Sequence, residues 1–533
     1  MKLGEVDVSM VELDLKSRDD MPKILRGLQF LYNDTILRAA LFTLLETRLL
    51  IKIDQPRRSV SVPEGRPEGG PQGRSVNAHT GRPGMTLWMV FVCGVVRLDL
   101  NIDYDQLHDL VNNHKALRAM LGLDAYGDTR YHVQTLKDNV SRFTPELLDE
   151  LNQLVVQAGH VLVKKKEAAA PEALRGRCDS FVVETNVHYP TDVNLLWDAM
   201  RKTITLVANL SEARERSEWR QSGHNLRQLK RCMRRAQNTR RAGRASGASG
   251  ASGASGASGP QAERQASQTK RAFDAYLACA ARYLARARET LGRLSELGLS
   301  VAEMIKKMEI EDFMQHADRQ IEQIHQRVIL GKPIAHADKV FSIFEPHTEW
   351  ISKGKAGVPV ELGLKVCILE DQHQFILHHQ VMAQLTDSQI ALDMVRESQE
   401  RFPRLAVCSF DKGFHSPGNQ SALKEMLALV VLPRKGRLSE AAVAEQAAPA
   451  FVKARRAHSA VESAINGLEV HGLDRCPDHG IDGFKRYVGM AVLARNIHRI
   501  GTIVWQRDQA QAASLAKKVA RDFDRMQLYK KTA

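Results

Sequence analysis

The chain has 533 residues, with 76 lysines and arginines against 62 aspartates and glutamates, a formal charge of +14. This length exceeds one ordinary hydrophobic core and predicts about two to four domains, while the positive charge favours an acidic polymer as partner. The seven cysteines lack a C-x-x-C pair, which argues against a disulfide framework or zinc knuckle and predicts a reducing cytoplasm.

The N-terminal third reads as helical, with one break. Apolar residues at three- and four-residue spacing predict helices in residues 1–54 and again in the region 85–170. Residues 55–84, rich in Pro, Gly and Arg, predict an exposed linker. The longest apolar run, 85–96, is shorter than the roughly 20 residues of a membrane span, and the charges in residues 1–20 argue against a secretory signal, so we expect no membrane association.

The pattern changes near residue 180. The β-branched and aromatic segment 180–186 predicts a strand opened by Asp179, and Asp192 is the expected cap of a helix that begins near Val193. Helical periodicity then dominates residues 201–334, which we interpret as a helical insertion. Its interruption consists of eight basic residues in 227–244 and a flexible Ala-Ser-Gly loop, 245–259.

Strands return in the region 335–505. The segments 360–369 and 375–382 predict a hairpin, and Asp387 is the expected cap of a helix reaching to about residue 400. Further strands are predicted at 340–344, 405–410 and 428–432, further helices at 457–470 and 484–509, and a basic, frayed C-terminal tail at 506–533.

Residues 175–200 and 335–505, taken together, run in the order strand, hairpin, helix, strand, strand, helix. This is the order of an RNase H-like fold. We therefore predict an α/β protein in which an RNase H-like catalytic core, a mixed sheet flanked by helices, carries the large helical insertion and follows the N-terminal helical region.

Acidic residues at strand ends and on a facing helix suit phosphodiester chemistry, because paired Mg²⁺ ions prefer carboxylate oxygens. Asp179 shares a face of its strand with Phe181 and Val183, whereas Glu184 points to the opposite face. A solvent-exposed acid at a strand edge is the alternative for Asp179. Asp192 competes with it and is interpreted as a helix cap.

Asp411 follows an apolar strand and precedes Gly413, so it projects into the crevice where open α/β sheets bind ligands. An ordinary Asx-turn is the alternative. Glu462 shares a polar helix face with His458, Asn466 and Glu469. The alternative is that this face is simply the solvent-exposed side of the helix. Serine-histidine catalysis explains these residues less well, since no Gly-x-Ser-x-Gly segment is present.

Three stretches carry a family resemblance: CDSFVVETNVHYPTD at 178–192, SFDKGFHS at 409–416, and HSAVESAI at 458–465 with its continuation to 472. With MTLW at 85–88 and LRAMLG at 117–122, the chain resembles transposases of bacterial insertion sequences, of the ISNCY-like group within the RNase H-like DDE superfamily, over roughly residues 85–500.

The resemblance implies an enzyme that binds terminal inverted repeats, cleaves DNA there and joins the 3′-hydroxyl to target DNA. It assigns Asp179, Asp411 and Glu462 as the catalytic residues and ligands of two Mg²⁺ ions, for which Mn²⁺ can substitute. Many related enzymes carry Tyr-x2-Arg-x3-Glu-x6-Lys around the glutamate, whereas Arg455, His458 and Glu469 stand in those places here. The phosphate contact that the lysine implies is therefore not carried over to Glu469.

The expected partner is double-stranded DNA, both element ends and target, bound by a homodimer or larger synaptic assembly in the bacterial cytoplasm at the nucleoid. The helices of 85–170 are the expected readers of the repeats. Three alternatives remain open: a nuclease that does not join strands, a catalytically silent DNA-binding descendant, and a basic structural nucleic-acid binder. The candidate DNA-binding residues are Arg234, Arg235, Arg240, Arg241, Arg434, Lys435, Arg437, Arg455, Arg456 and His458.

Overall fold

The computed structural model describes residues 6–8, 11–49, 84–164, 172–247, 260–335, 338–352 and 360–532. The predicted linker, apart from residue 84, and residues 248–259 of the predicted Ala-Ser-Gly loop lie outside these ranges. The chain divides into two compact units, Met1–Asn186 with Lys353–Ala533, and Val187–Ser352. The predicted insertion, 201–334, lies within the second unit. Among the described residues, no helix combines the length and apolarity that crossing a membrane requires.

The helices and strands are numbered in chain order. The α-helices are α1 (Met21–Asn33), α2 (Thr35–Leu49), α3 (Leu87–Asp99), α4 (Tyr104–Asn113), α5 (Lys115–Met120), α6 (Val133–Val140), α7 (Pro145–Val163), α8 (Asp192–Ala213), α9 (Ser222–Gly247), α10 (Pro260–Glu296), α11 (Val301–Ile324), α12 (Asp387–Arg401), α13 (Pro417–Met426), α14 (Glu440–Ala447), α15 (Pro449–His458), α16 (Ala460–Leu468) and α17 (Gly480–Thr532). The strands are β1 (Leu174–Thr185), β2 (Glu349–Ser352), β3 (Val360–Glu370), β4 (Ile376–Met382), β5 (Leu405–Phe410), β6 (Leu429–Val431) and β7 (Arg475–Cys476).

The first unit contains a mixed, open sheet in the order β4-β3-β1-β5-β6. β1 is antiparallel to β3 and β3 is antiparallel to β4, whereas β1 with β5 and β5 with β6 are parallel pairs. The short strand β7 pairs with the C-terminal end of β1. The β-branched and apolar residues of β3, β5 and β6 suit the buried positions that they occupy.

Helices of the N-terminal region and α17 pack into one core with this sheet. Asn152 of α7 and Asn496 of α17 both bond the backbone of Ile376 at the start of β4, at 3.1 Å and 2.9 Å. Gly501 lets α17 approach α1 closely, because a Cβ there would lie 1.9 Å from the Lys23 carbonyl oxygen. α3 is buried along its whole length, so it offers no surface for reading DNA.

The second unit has its own core, built from α8, α9, α10 and α11. α11 begins with a capping box in which Ser300 and Glu303 bond each other's backbone N–H groups. The basic segment 227–244, predicted to interrupt the helices, lies inside α9. That prediction was wrong because the basic side chains are compatible with a helix that buries Leu229, Met233 and Ala236 on its other face.

Several predicted boundaries need correction. The first strand begins at Leu174, so Asp179 lies within it and does not open it. Residues 340–344 are not a strand; β2 follows them. Thr191 and Thr386 occupy the N-cap positions that we assigned to Asp192 and Asp387, each of which is the first helical residue. The C-terminal tail continues α17 to Thr532. The predicted strands near 360–369, 375–382, 405–410 and 428–432 are confirmed.

Candidate active site

Parallel pairing of β1 with β5 brings Asp179 and Asp411 together. Cys178 is paired with Phe410, and the residue that follows each of them in the chain is an aspartate. Two positions earlier, Arg177 is paired with Ser409. Because side chains alternate along strands, Asp179 and Asp411 point to the same side of the sheet as that pair.

Glu462 comes to the same place from a helix. It lies in the first turn of α16, which contacts β1 and buries Val461, Ala464 and Leu468. Glu462 and Asp411 are exposed, while Asp179 is half-buried. The structure therefore brings together the three acids that the sequence singled out, with two of them open to solvent.

The electrostatics of Asp179 report this convergence. Burial raises the pKa of Asp179 to about 6 from 3.8, the N–H of Ser180 opposes the shift, and the negative charges of Asp411, Asp387 and Glu462 raise the pKa further. The Ser180 N–H donates to Asp179 Oδ1 at 2.8 Å. Asp179 thus sits in a field of like charge that a bound cation would relieve.

The donor set fits hard divalent cations, because it consists of carboxylate oxygens. The three acids do not form the tightest cluster among the described residues: the group whose ligand atoms all lie within 4.8 Å of one another is Asp99, His471 and His498. Asp179, Asp411 and Glu462 do not meet this limit together, so their side chains as placed would not bind one ion jointly, whereas a two-ion site does not require any one ion to contact all three acids.

Asp387 is a fourth carboxylate at this site, which the sequence indicated only as a helix cap. Its Oδ1 accepts from Ser180 Oγ at 2.7 Å and its Oδ2 from Lys365 Nζ at 3.0 Å. Ser180 faces away from Asp179 along β1, so Asp387 lies behind the strand. Because Lys365 compensates its charge, Asp387 supports the middle of β1 through Ser180 and is a poorer cation ligand than the other three acids.

His458, predicted to contact DNA, is a half-buried neighbour of the acids. Its Nδ1 lies 3.0 Å from Ser409 Oγ. Burial lowers the pKa of His458, and the positive charge of Arg177 lowers it further. The negative charges of Asp411 and Glu462 oppose this change. A neutral imidazole fixed by Ser409 can hydrogen-bond a water or phosphate beside the acids.

Arg177 is a second residue that the sequence did not indicate. Its Nη2 lies 3.2 Å from Glu370 Oε2, and its Nη1 donates to the carbonyl of Ala457 at 3.4 Å. Burial raises the pKa of Glu370 to about 7, and Arg177 and Arg495 oppose the rise. Arg177 thus ties β1 to the end of β3 and to α15, which carries His458.

The predicted DNA-binding loop of Arg434, Lys435 and Arg437 lies next to Asp411. Lys435 Nζ donates to the Gly413 carbonyl at 2.9 Å. Arg434 is paired with Glu445 at 2.8 Å, so its charge is partly compensated, whereas Arg437 is exposed. This loop therefore brings at least one basic group, Lys435, against the turn that follows Asp411.

The other predicted DNA-binding residues fall in two places. Arg455 and Arg456 are exposed in the last turn of α15, in the first unit. Arg234 and Arg235 are exposed on α9, in the second unit, and Arg240 is half-buried there. The side chain of Arg241 lies outside the described residues. All of these contacts with DNA stay predictions.

The competing acids lie elsewhere. Asp192 pairs with Arg327 at 2.6 Å in the second unit and takes no part in the cluster. Glu184 follows Asp179 by five residues and lies opposite Gly363 in the sheet register. Glu469 begins a short π-helical segment, Glu469–Leu473, after α16.

Asp99, His471 and His498 form a separate buried network. His498 Nδ1 lies 2.9 Å from Asp99 Oδ1, and His471 Nδ1 bonds the Asp99 backbone carbonyl. Because both imidazoles are already engaged with Asp99, this group ties the end of α3 to α17. No sequence pattern indicated this network, since Asp99 is 372 residues from His471 and 399 residues from His498.

Three comparisons were made with known proteins. No protein-family model, no curated protein and no solved structure matches this chain. The residues of the site are converging carboxylates, a neutral histidine and neighbouring cations, and Asp411 directly follows the carboxyl end of β5, where open sheets bind ligands.

Proposed function

We propose that this chain is a DDE-type DNA transposase, with Asp179, Asp411 and Glu462 as its catalytic carboxylates. The observation that carries the proposal is the convergence of these acids, expressed in the raised pKa of Asp179, to which Asp411 and Glu462 both contribute. A cluster of like charges destabilises the folded state, and groups with pKa values perturbed in this way occur frequently at active sites.

The sheet supports an RNase H-like assignment of the first unit. The expected core has a three-strand antiparallel meander extended by parallel strands, and β4-β3-β1-β5-β6 has that order and those directions. The second unit enters the chain between β1 and β3, in agreement with an insertion after the first catalytic aspartate.

The residues divide the chemistry among them. Asp179, Asp411 and Glu462 would hold two Mg²⁺ ions, which activate water or a 3′-hydroxyl and stabilise the leaving oxyanion. His458, positioned by Ser409, can donate or accept a hydrogen bond at the scissile phosphate. Lys435 and Arg437 would bind the flanking phosphates, and the exposed arginines of α15 extend this surface. Two DNA ends joined in one reaction imply a homodimer or larger assembly.

Cleavage and joining of DNA provide the test. The substrate is labelled duplex carrying the segments that flank the chain's own coding sequence, with supercoiled plasmid as target and Mg²⁺ or Mn²⁺ present. We expect Asp411→Asn to lower cleavage by about 100-fold or more while DNA affinity is kept, because a metal ligand is lost. Asp393→Asn, an exposed acid of α12, is the matched control and should cleave normally.

Each alternative gives a distinct result. Cleavage without joined products identifies a nuclease that does not transfer strands. DNA binding with no cleavage in any metal identifies a catalytically silent binder. Unchanged cleavage in Asp411→Asn refutes the assignment of the site.

A further inference from the structure

The second unit contains a cavity of about 510 Å³ that the catalytic proposal does not use. The start of α8, the helices α9 and α10, and the segment leading to β2 form its wall. Its volume is within the range of about 300–1,000 Å³ typical of small-ligand sites. One side is aromatic and the other basic, which restricts the class of ligand.

Three rings form the aromatic side. Tyr189 and Trp350 meet edge to face with ring centroids 5.8 Å apart, and Phe341 lies 5.7 Å from Trp350. Tyr189 is 62% exposed, although aromatic rings are usually covered in a folded protein. Exposed rings at a cavity mouth can stack on a flat π-system, and an unpaired nucleobase has two such faces.

The basic side contains Arg240, Arg327 and Lys339, against the single carboxylate of Asp192. Arg327 is paired with Asp192 at 2.6 Å, and its buried Nε has no hydrogen-bond acceptor among the described residues. The cavity also includes the N-terminus of α8, a 22-residue helix whose dipole favours an anion there. A phosphate group satisfies all of these features.

We propose that this cavity binds one unpaired nucleotide, with its base against Trp350 and Tyr189 and its phosphate against Arg327 and Lys339. A paired base is excluded by this chemistry, because both of its faces are already stacked in the duplex. The unpaired nucleotide can belong to a DNA strand or be a free nucleoside monophosphate. This inference rests on the proposed function in one respect only, which is that the proposed function favours a DNA strand as the source of the nucleotide.

Binding by the full chain in EDTA tests the proposal without any catalysis. The probes are fluorescein-labelled ten-residue oligothymidylate, a blunt 20-base-pair duplex, and free thymidine 5′-monophosphate, whose binding is measured directly by calorimetry, at a fixed salt concentration. Trp350→Ala should weaken oligothymidylate binding about fivefold to 100-fold and leave duplex binding within about twofold, because one stacking contact is lost.

Two further variants complete the design. Trp350→Phe keeps an aromatic face and should retain most of the affinity, which separates stacking from a folding defect. Lys339→Ala should weaken oligothymidylate binding, whereas Lys306→Ala, an exposed lysine of α11 outside the cavity, should not. The melting temperature of each variant verifies that the protein is folded.

The outcomes are decisive. Selective loss of oligothymidylate binding supports a nucleotide of a DNA strand. Loss of thymidine monophosphate binding alone supports a free nucleotide. An equal fall for single strand and duplex, or no fall for any probe, overturns the proposal. Oligothymidylate binding by Asp411→Asn protein should depend on Trp350 in the same way as binding by the wild type. Failure of the nucleotide proposal can therefore be distinguished from failure of the catalytic proposal.

Discussion

Replacement of Asp179 by asparagine should stabilise the protein while abolishing cleavage. The carboxylate is held among like charges, and burial and those charges raise its pKa to about 6 from 3.8. Asparagine keeps an oxygen to accept the Ser180 N–H but has no charge to be repelled. Without a metal ion, the charge of Asp179 that function requires should therefore lower the stability of the folded protein.

The magnitude follows from the pKa shift. A shift of roughly 2 units corresponds to about 3 kcal/mol at about 1.36 kcal/mol per unit, and partial solvent access reduces this to about 1–3 kcal/mol. The folded-state pKa is raised, so the folded protein binds the proton more tightly than the unfolded chain. The penalty is absent below about pH 4, grows between pH 4 and 6, and is complete above pH 6.

Thermal melting of wild type and Asp179→Asn at pH 5 and pH 8, in EDTA, measures this effect. We expect the variant to melt about 2–4 °C higher at pH 8 and by about half that margin at pH 5. Mg²⁺ should stabilise the wild type and not the variant. An equal or lower melting temperature of the variant at pH 8 would refute the electrostatic reasoning.

Three further predictions follow from the same contacts. His498→Ala removes the partner of the fully buried Asp99 carboxylate and should lower the free energy of unfolding by about 3–5 kcal/mol, measured with urea; a change under about 1 kcal/mol would contradict this. Gly501→Ala drives a Cβ into the Lys23 carbonyl and should cost about 1–3 kcal/mol, whereas the control Gly292→Ala, with open space around it on α10, should be neutral or stabilising. Mg²⁺ affinity, measured by calorimetry, should fall as the pH drops through about 6, because a proton competes for Asp179; a pH-independent affinity would place the ions elsewhere.

The sequence predicted the central strands because most of their residues are apolar and favour strands. The segment 405–410 is largely apolar, and the structure has β5 at those residues. The start of β1 was missed because Arg175, Gly176 and Arg177 do not look like a strand. Gly176 suits the crowded position, since a Cβ would lie 2.9 Å from a Leu369 methyl group that would have to shift, and Arg177 is compensated by Glu370.

A residue of the candidate site could be predicted only where the local sequence pattern also shows its place relative to a strand. Asp411 follows a strand and precedes a glycine, so its projection could be expected from sequence alone. Asp387 could not be expected at this site, because its partners Ser180 and Lys365 meet it only after the sheet has formed. The same holds for Ser409 and His458, which come from different elements.

Bound manganese located in crystals of the protein determines whether the three acids form a metal site, since Mn²⁺ replaces Mg²⁺ and scatters anomalously. With DNA ends bound, we expect two anomalous peaks about 3.5–4 Å apart among the carboxylates of Asp179, Asp411 and Glu462, both lost in Asp411→Asn. Peaks confined to Asp99, His471 and His498, or no peak beside the three acids, would refute the proposed metal site.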